Sequence, residues 1–161
     1  MPEITLFGWF HTLVAIVALL AGFYTLARFR VISSEQLSGK IYLICTIIAA
    51  ASALGIYKHG GFGVAHFLAV LTLFAVLVGG VAEKTDFFGG LSRYMQAASY
   101  SATLLFHMIP AITDGLMRLP VDAPIVTELE DPLLRGFYLA FLVTFVVGLG
   151  LQFLWLRGKK L

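Results

Sequence analysis

Charge is scarce in this chain. Of its 161 residues only 12% are Asp, Glu, Lys or Arg, while 60% are hydrophobic, and the mean hydropathy is +0.93. A soluble domain carries about a quarter of its residues charged, so the surplus apolar surface must face something other than water. A net charge of +2 lacks the basic excess that nucleic-acid binding needs. Cysteine is nearly absent as well. Cys45 stands alone inside an apolar run, which excludes an intrachain disulfide and any CxxC metal or redox motif. The opening Met1-Pro2-Glu3 lacks the basic segment of a signal peptide, and the apolar run behind it is too long for one, so it reads as a retained helix. There is no HExxH pair, no Walker loop, no Ser-His-Asp set and no His-x3-His pair. Hydrolysis is therefore disfavoured, and a redox role stays open.

What the chain does have is long apolar runs, several near the 20 residues that cross a bilayer. The sequence predicts an all-α, polytopic membrane helical bundle in one domain, 1–161, with spans at about 4–27, 37–57, 62–82, 94–117 and 137–156. The fourth is the least apolar, holding Gln96, Tyr100, Thr103, His107, Pro110 and Asp114. Residues 119–135 are acidic, contain Pro120, Pro124 and Pro132, and read as an outer loop with a short helical turn on the surface.

Orientation follows from the basic residues near the helix ends. With the N-terminus outside, the inner side carries Arg28, Arg30, Lys40, Lys84, Arg93, Arg157, Lys159 and Lys160, and the outer side only Lys58, Arg118 and Arg135. This bias sets the C-terminus in the cytoplasm. The inner cations also suit anionic lipids. Trp9, Trp155, Tyr24, Tyr42, Tyr57 and Tyr94 are expected in interfacial belts.

Self-comparison aligns His11-x-Leu13 with His66-x-Leu68, and Leu37-Ser38-Gly39-Lys40-Ile41-Tyr42 with Leu91-Ser92-Arg93-Tyr94. The implied architecture is four core helices as a 2+2 repeat plus a fifth C-terminal helix. At these residues the chain resembles a family of small bacterial predicted membrane proteins classed as a domain of unknown function. The likeness rests on helices that begin with His, on the stretch from Ser38 to Tyr42, and on a last core helix from Ser99-Tyr100 to Arg118, and covers roughly residues 8 to 118. It departs from the family where an inner-side His precedes Gly-x-x-Tyr, since Gln36, Leu37 and Ser38 stand there. The resemblance implies a four-plus-one bundle in a bacterial inner membrane and no particular activity.

At about 1.5 Å of rise per residue, His11, His59, His66 and His107 all fall in the outer half, with His107 roughly 16 Å below Arg118. At 100° per residue, Gln96, Tyr100, Thr103, His107, Asp114 and Arg118 lie within about 60° of one another. Ionisable groups inside a membrane face the bundle interior or a partner, so this stripe is expected to point inward. On the first helix, His11, Ala15, Ala18, Gly22 and Thr25 share a face of small residues, which permits close helix approach or room for a bound group.

Two classes of function fit these residues. In the first, His11, His66 and His107 converge as metal ligands or haem axial ligands, with Asp114 and Arg118 at a propionate or quinone headgroup. The cofactor is then haem b or a transition metal such as zinc or copper, serving electron transfer or metalloenzyme assembly with a quinone or redox protein partner. In the second, the chain is a transporter-like, channel-like or structural subunit of a larger membrane complex, or a homo-oligomer, without a cofactor. Its helix-four stripe then forms a proton or solute path. The bland reading of each residue is a helix-end anchor for His11 and His66, a hydrogen-bonded interior group for His107, a solvated loop residue for His59, and an i,i+4 ion pair for Asp114 with Arg118.

Overall fold

The structure is a computed structural model that describes residues 5–56 and 61–159. His59, Lys58 and Tyr57 lie outside the described residues. Five α-helices account for most of the chain: α1 Leu6–Phe29, α2 Leu37–Ala53, α3 Val64–Lys84, α4 Ser92–Arg118 and α5 Pro132–Gly158, with one 3-10 turn, Gly89–Leu91, leading into α4. The described residues contain no strand. The chain is all-α and forms a helical bundle, as composition and periodicity predict.

Local chemistry sets the helix ends. The Thr5 side chain accepts from the Gly8 N–H at 3.1 Å and starts α1, the usual way a hydroxyl satisfies an orphan donor. Arg30 closes the same helix in the left-handed region at φ 69°, its N–H returning to the Leu26 carbonyl at 2.9 Å. Asp131 caps α5, accepting from the Leu133 N–H at 2.8 Å, with Pro132 behind it at the first turn. Proline costs nothing there because its missing N–H would have had no helical partner. α5 therefore starts five residues before the expected 137.

The connection between α4 and α5 differs from expectation too. Residues 119–131 make turns but no helix. They fold back so that the Val126 N–H reaches the Leu116 carbonyl at 3.1 Å, with the Val126 side chain buried.

Three of the helices, α1, α3 and α5, are long and apolar enough to cross a membrane. α2 is apolar but has 17 residues, the short end of what spans a bilayer. α4 has 27 residues and carries the polar stripe that lowers its apolar character. α1 packs chiefly on α2, and α3 on α4. α2 also meets α3, and α5 leans on α4. The tightest core is Ala18, Ile32, Tyr42, Leu43, Tyr100 and Leu104. Large apolar side chains such as Leu20, Phe74, Leu77, Val146 and Leu154 stand outward instead.

Candidate functional site

The α4 stripe faces into the bundle, and each of its inner four residues bonds to another element. Gln96 Nε2 donates to the Ile32 carbonyl at 2.9 Å. Tyr100 OH donates to Glu83 Oε2 at 2.9 Å. Thr103 meets the Tyr42 hydroxyl of α2. His107 Nε2 lies 3.2 Å from Thr46 Oγ1, also of α2. A polar group withdrawn from water is costly unless it is bonded, which is why the stripe turns inward rather than outward. Thr103 gives its own proton to the Tyr100 carbonyl at 2.7 Å. Tyr42 is therefore the donor in the Tyr42–Thr103 bond.

One end of this column is Glu83, the next-to-last residue of α3. Its Oε1 accepts from Ser33 Oγ at 2.6 Å, from the Ser34 N–H at 2.6 Å and from Gln96 Nε2 at 3.4 Å. With Tyr100 on the other oxygen, four neutral donors converge on one carboxylate. They come from the α1–α2 loop and from α4, so Glu83 ties three parts of the bundle together. Hydrogen bonds to a charged acceptor are about twice as strong as neutral ones.

The other end is His11 of α1. Its Nδ1 lies 3.0 Å from the Ala49 carbonyl and 3.0 Å from Ser52 Oγ, while Ser52 donates to that same carbonyl at 2.9 Å. A carbonyl oxygen only accepts, so the geometry assigns a proton to His11 Nδ1. His107 is within electrostatic reach of His11, and its ring sits edge-on to Tyr42 with centroids 6.5 Å apart. From one end to the other the column runs His11, Ser52, Thr46, His107, Tyr42, Thr103, Tyr100, Glu83.

Among the described residues no group of three His, Cys, Asp or Glu side chains is placed to hold a metal ion. His66 is buried, but its Nδ1 accepts from the Gly63 N–H at 3.1 Å at the start of its own helix, and its ring stacks on Phe62 at 5.2 Å. It belongs to the helix start. The small-residue face of α1 is closely packed at Gly22. A Cβ placed on Gly22 would stand 2.8 Å from the Tyr42 ring and 2.9 Å from Leu104, so those side chains already fill the space. Asp114 and Arg118 pair at 3.3 Å within α4, with the Asp114 side chain largely exposed. Tyr42 is fully buried rather than part of an interfacial belt.

Two residues escaped the sequence reading. Glu83 closes an apolar run with Gly79, Gly80, Asp86 and Phe87 at the helical spacings where a basic partner would sit. That lack of an i±3 or i±4 cation was the available signal. Gln152, the one amide in α5, is buried and bonds both Ser101 of α4 and the Arg30 carbonyl. Comparison with protein-family models, with curated proteins and with solved structures gives no match to this chain.

Proposed function

We propose that this chain is a five-span bacterial inner-membrane protein whose interior column conducts protons between outer-side imidazoles and Glu83 on the cytoplasmic side. The observation carrying the reading is the α4 stripe, in which Gln96, Tyr100, Thr103 and His107 are all hydrogen-bonded across helix interfaces in line with a carboxylate. Imidazoles, hydroxyls and carboxylates are the groups that relay protons in membranes. The apolar outer surface, three long apolar helices and the eight inner-side cations support the membrane location with the N-terminus outside. The 2+2 reading rests on the sequence self-comparison; the packing of Tyr42 on Gly22 and of Tyr100 on Gly79 is a likeness between the two helix pairs that falls outside that register, in which Tyr42 aligns with Tyr94.

The haem or metal role has less to stand on, because no group of three metal-ligating side chains is found among the described residues and Tyr42 packs against Gly22 on the α1 face. The test of the relay is proton flux. In sealed vesicles containing a pH-sensitive dye and driven by a potassium gradient, wild type should acidify or alkalinise the lumen well above protein-free vesicles. Glu83→Gln and His107→Phe should each lower the rate at least tenfold. Equal rates in all three, or no flux from wild type, would reject the relay.

A further inference from the structure

A groove of about 760 Å³ opens between α1 and α5, floored by α4. That volume is within the roughly 300–1,000 Å³ of small-molecule and cofactor sites. Its walls are Phe23 and Leu26 on one side and Phe145 and Leu149 on the other, over Leu104 and Met108. On α5 it runs from Phe141 to Trp155, about 21 Å at the helical rise, slightly more than one leaflet of a hydrocarbon core some 30 Å thick.

One end of the groove is apolar and the other is built from cations. Ser101 Oγ donates to Gln152 Oε1 at 2.9 Å, and Gln152 Nε2 donates to the Arg30 carbonyl at 2.7 Å. This clasp fixes Arg30, already held in a left-handed turn, at the mouth. Its guanidinium lies 5.9 Å from the centre of the Trp155 ring, and the Lys159 ammonium lies 4.0 Å from the same ring. Arg93 Nη1 holds the Lys159 carbonyl at 3.1 Å. Cations on an indole face remain attractive to an anion at their free edge. The residues lining the groove include no Asp or Glu.

We propose that the groove holds one anionic phospholipid, its acyl chain along α4 and its phosphate between Arg30 and Lys159. The charge of the mouth selects the headgroup, and the position of that mouth on the cytoplasmic side selects the leaflet. This inference rests on the membrane reading above but not on the proton relay.

The test compares phosphatidylglycerol with phosphatidylcholine on the full-length protein in detergent, by native mass spectrometry. Wild type should retain phosphatidylglycerol at about one per chain and prefer it at least tenfold. Arg30→Gln with Lys159→Gln should bring the two lipids to parity. Gly148→Leu should lose both, because Gly148 lines the groove and has open space where its side chain would go. Circular dichroism on each variant verifies that the helices persist, and the charge variants stand independently of the filled one. Equal retention of both lipids by wild type overturns the proposal. So does displacement of the lipid by millimolar inorganic phosphate, which marks a free-anion site, or a dimer that Gly148→Leu converts to monomers. A chain that fails to enter vesicles at all would sink the membrane reading as well, and that failure is distinct from one in which the chain enters membranes without headgroup preference.

Discussion

The first helix pair closes around Tyr42, whose ring lies against Gly22, and the second closes around Tyr100, whose ring lies against Gly79. Both tyrosines are buried to within a few per cent of complete, and both donate their hydroxyl protons. Their acceptors differ. Tyr42 donates to a neutral threonine of α4 and so joins the two pairs across the bundle. Tyr100 donates to the Glu83 carboxylate of its own pair, and that carboxylate in turn holds the loop between α1 and α2. One packing device therefore serves two purposes: shape places each ring, and the charge of the acceptor decides how strongly its end of the bundle is fixed.

The comparison breaks first at the glycines. Gly79→Val should be the more damaging of the two glycine changes, because its Cβ would stand even closer to the Tyr100 ring than the 2.8 Å that a Gly22 Cβ would leave to Tyr42. Overpacking of this kind costs about 1–3 kcal/mol, and the thermal midpoint in detergent should fall further for Gly79→Val than for Gly22→Val. A reversed order would mean that the α3–α4 contact yields more easily than its geometry implies.

Removal of the hydroxyls sharpens the comparison without changing shape. Tyr100→Phe should cost about 1.5–3 kcal/mol and Tyr42→Phe about 0.5–1.5 kcal/mol, the ranges for bonds to charged and to neutral partners. Chemical denaturation of both variants, alone and combined with Glu83→Gln, checks this. Glu83→Gln should lessen the effect of Tyr100→Phe and leave that of Tyr42→Phe unchanged. Equal penalties for the two tyrosines would show that the charge of Glu83 is not felt by its donor.

The smallest effect on proton flux is expected at His66, which takes no part in either tyrosine bond. His66→Ala should cost about 1 kcal/mol and leave vesicle proton flux at the wild-type rate, whereas His107→Phe should not. Loss of flux in His66→Ala would add the first turn of α3 to the column.

The sequence was legible where periodicity and hydropathy carry the information. The helix order, the inward direction of the stripe through Gln96, Tyr100, Thr103 and His107, and the Asp114–Arg118 pair all follow from 100° of turn per residue. The rest depended on partners distant along the chain. His11 is separated from Ala49 by 38 residues and Tyr42 from Thr103 by 61, and one sequence does not disclose which helix faces lie together. Tyr42 stands near a predicted helix end and so resembled an interfacial anchor until Gly22, twenty residues earlier, provided the recess that buries it. His66 carries the same ring as His107, but its position three residues after Gly63 made a helix start the nearer use. Glu83 was hidden because its donors, Ser33, Ser34, Gln96 and Tyr100, all lie on other elements.

α5 is fastened to the bundle twice. Near its start Tyr138 shares a 2.6 Å bond with Thr113, and near its end Gln152 bridges Ser101 and Arg30. About 21 Å of helical rise separates the two fastenings, and Gly148 lies between them. A rod pinned at both ends does not swing open like a gate. On the membrane reading, an acyl chain that enters the space beneath it must slide in sideways from the plane of the bilayer, while only the cationic mouth at Arg30 stays in reach of water.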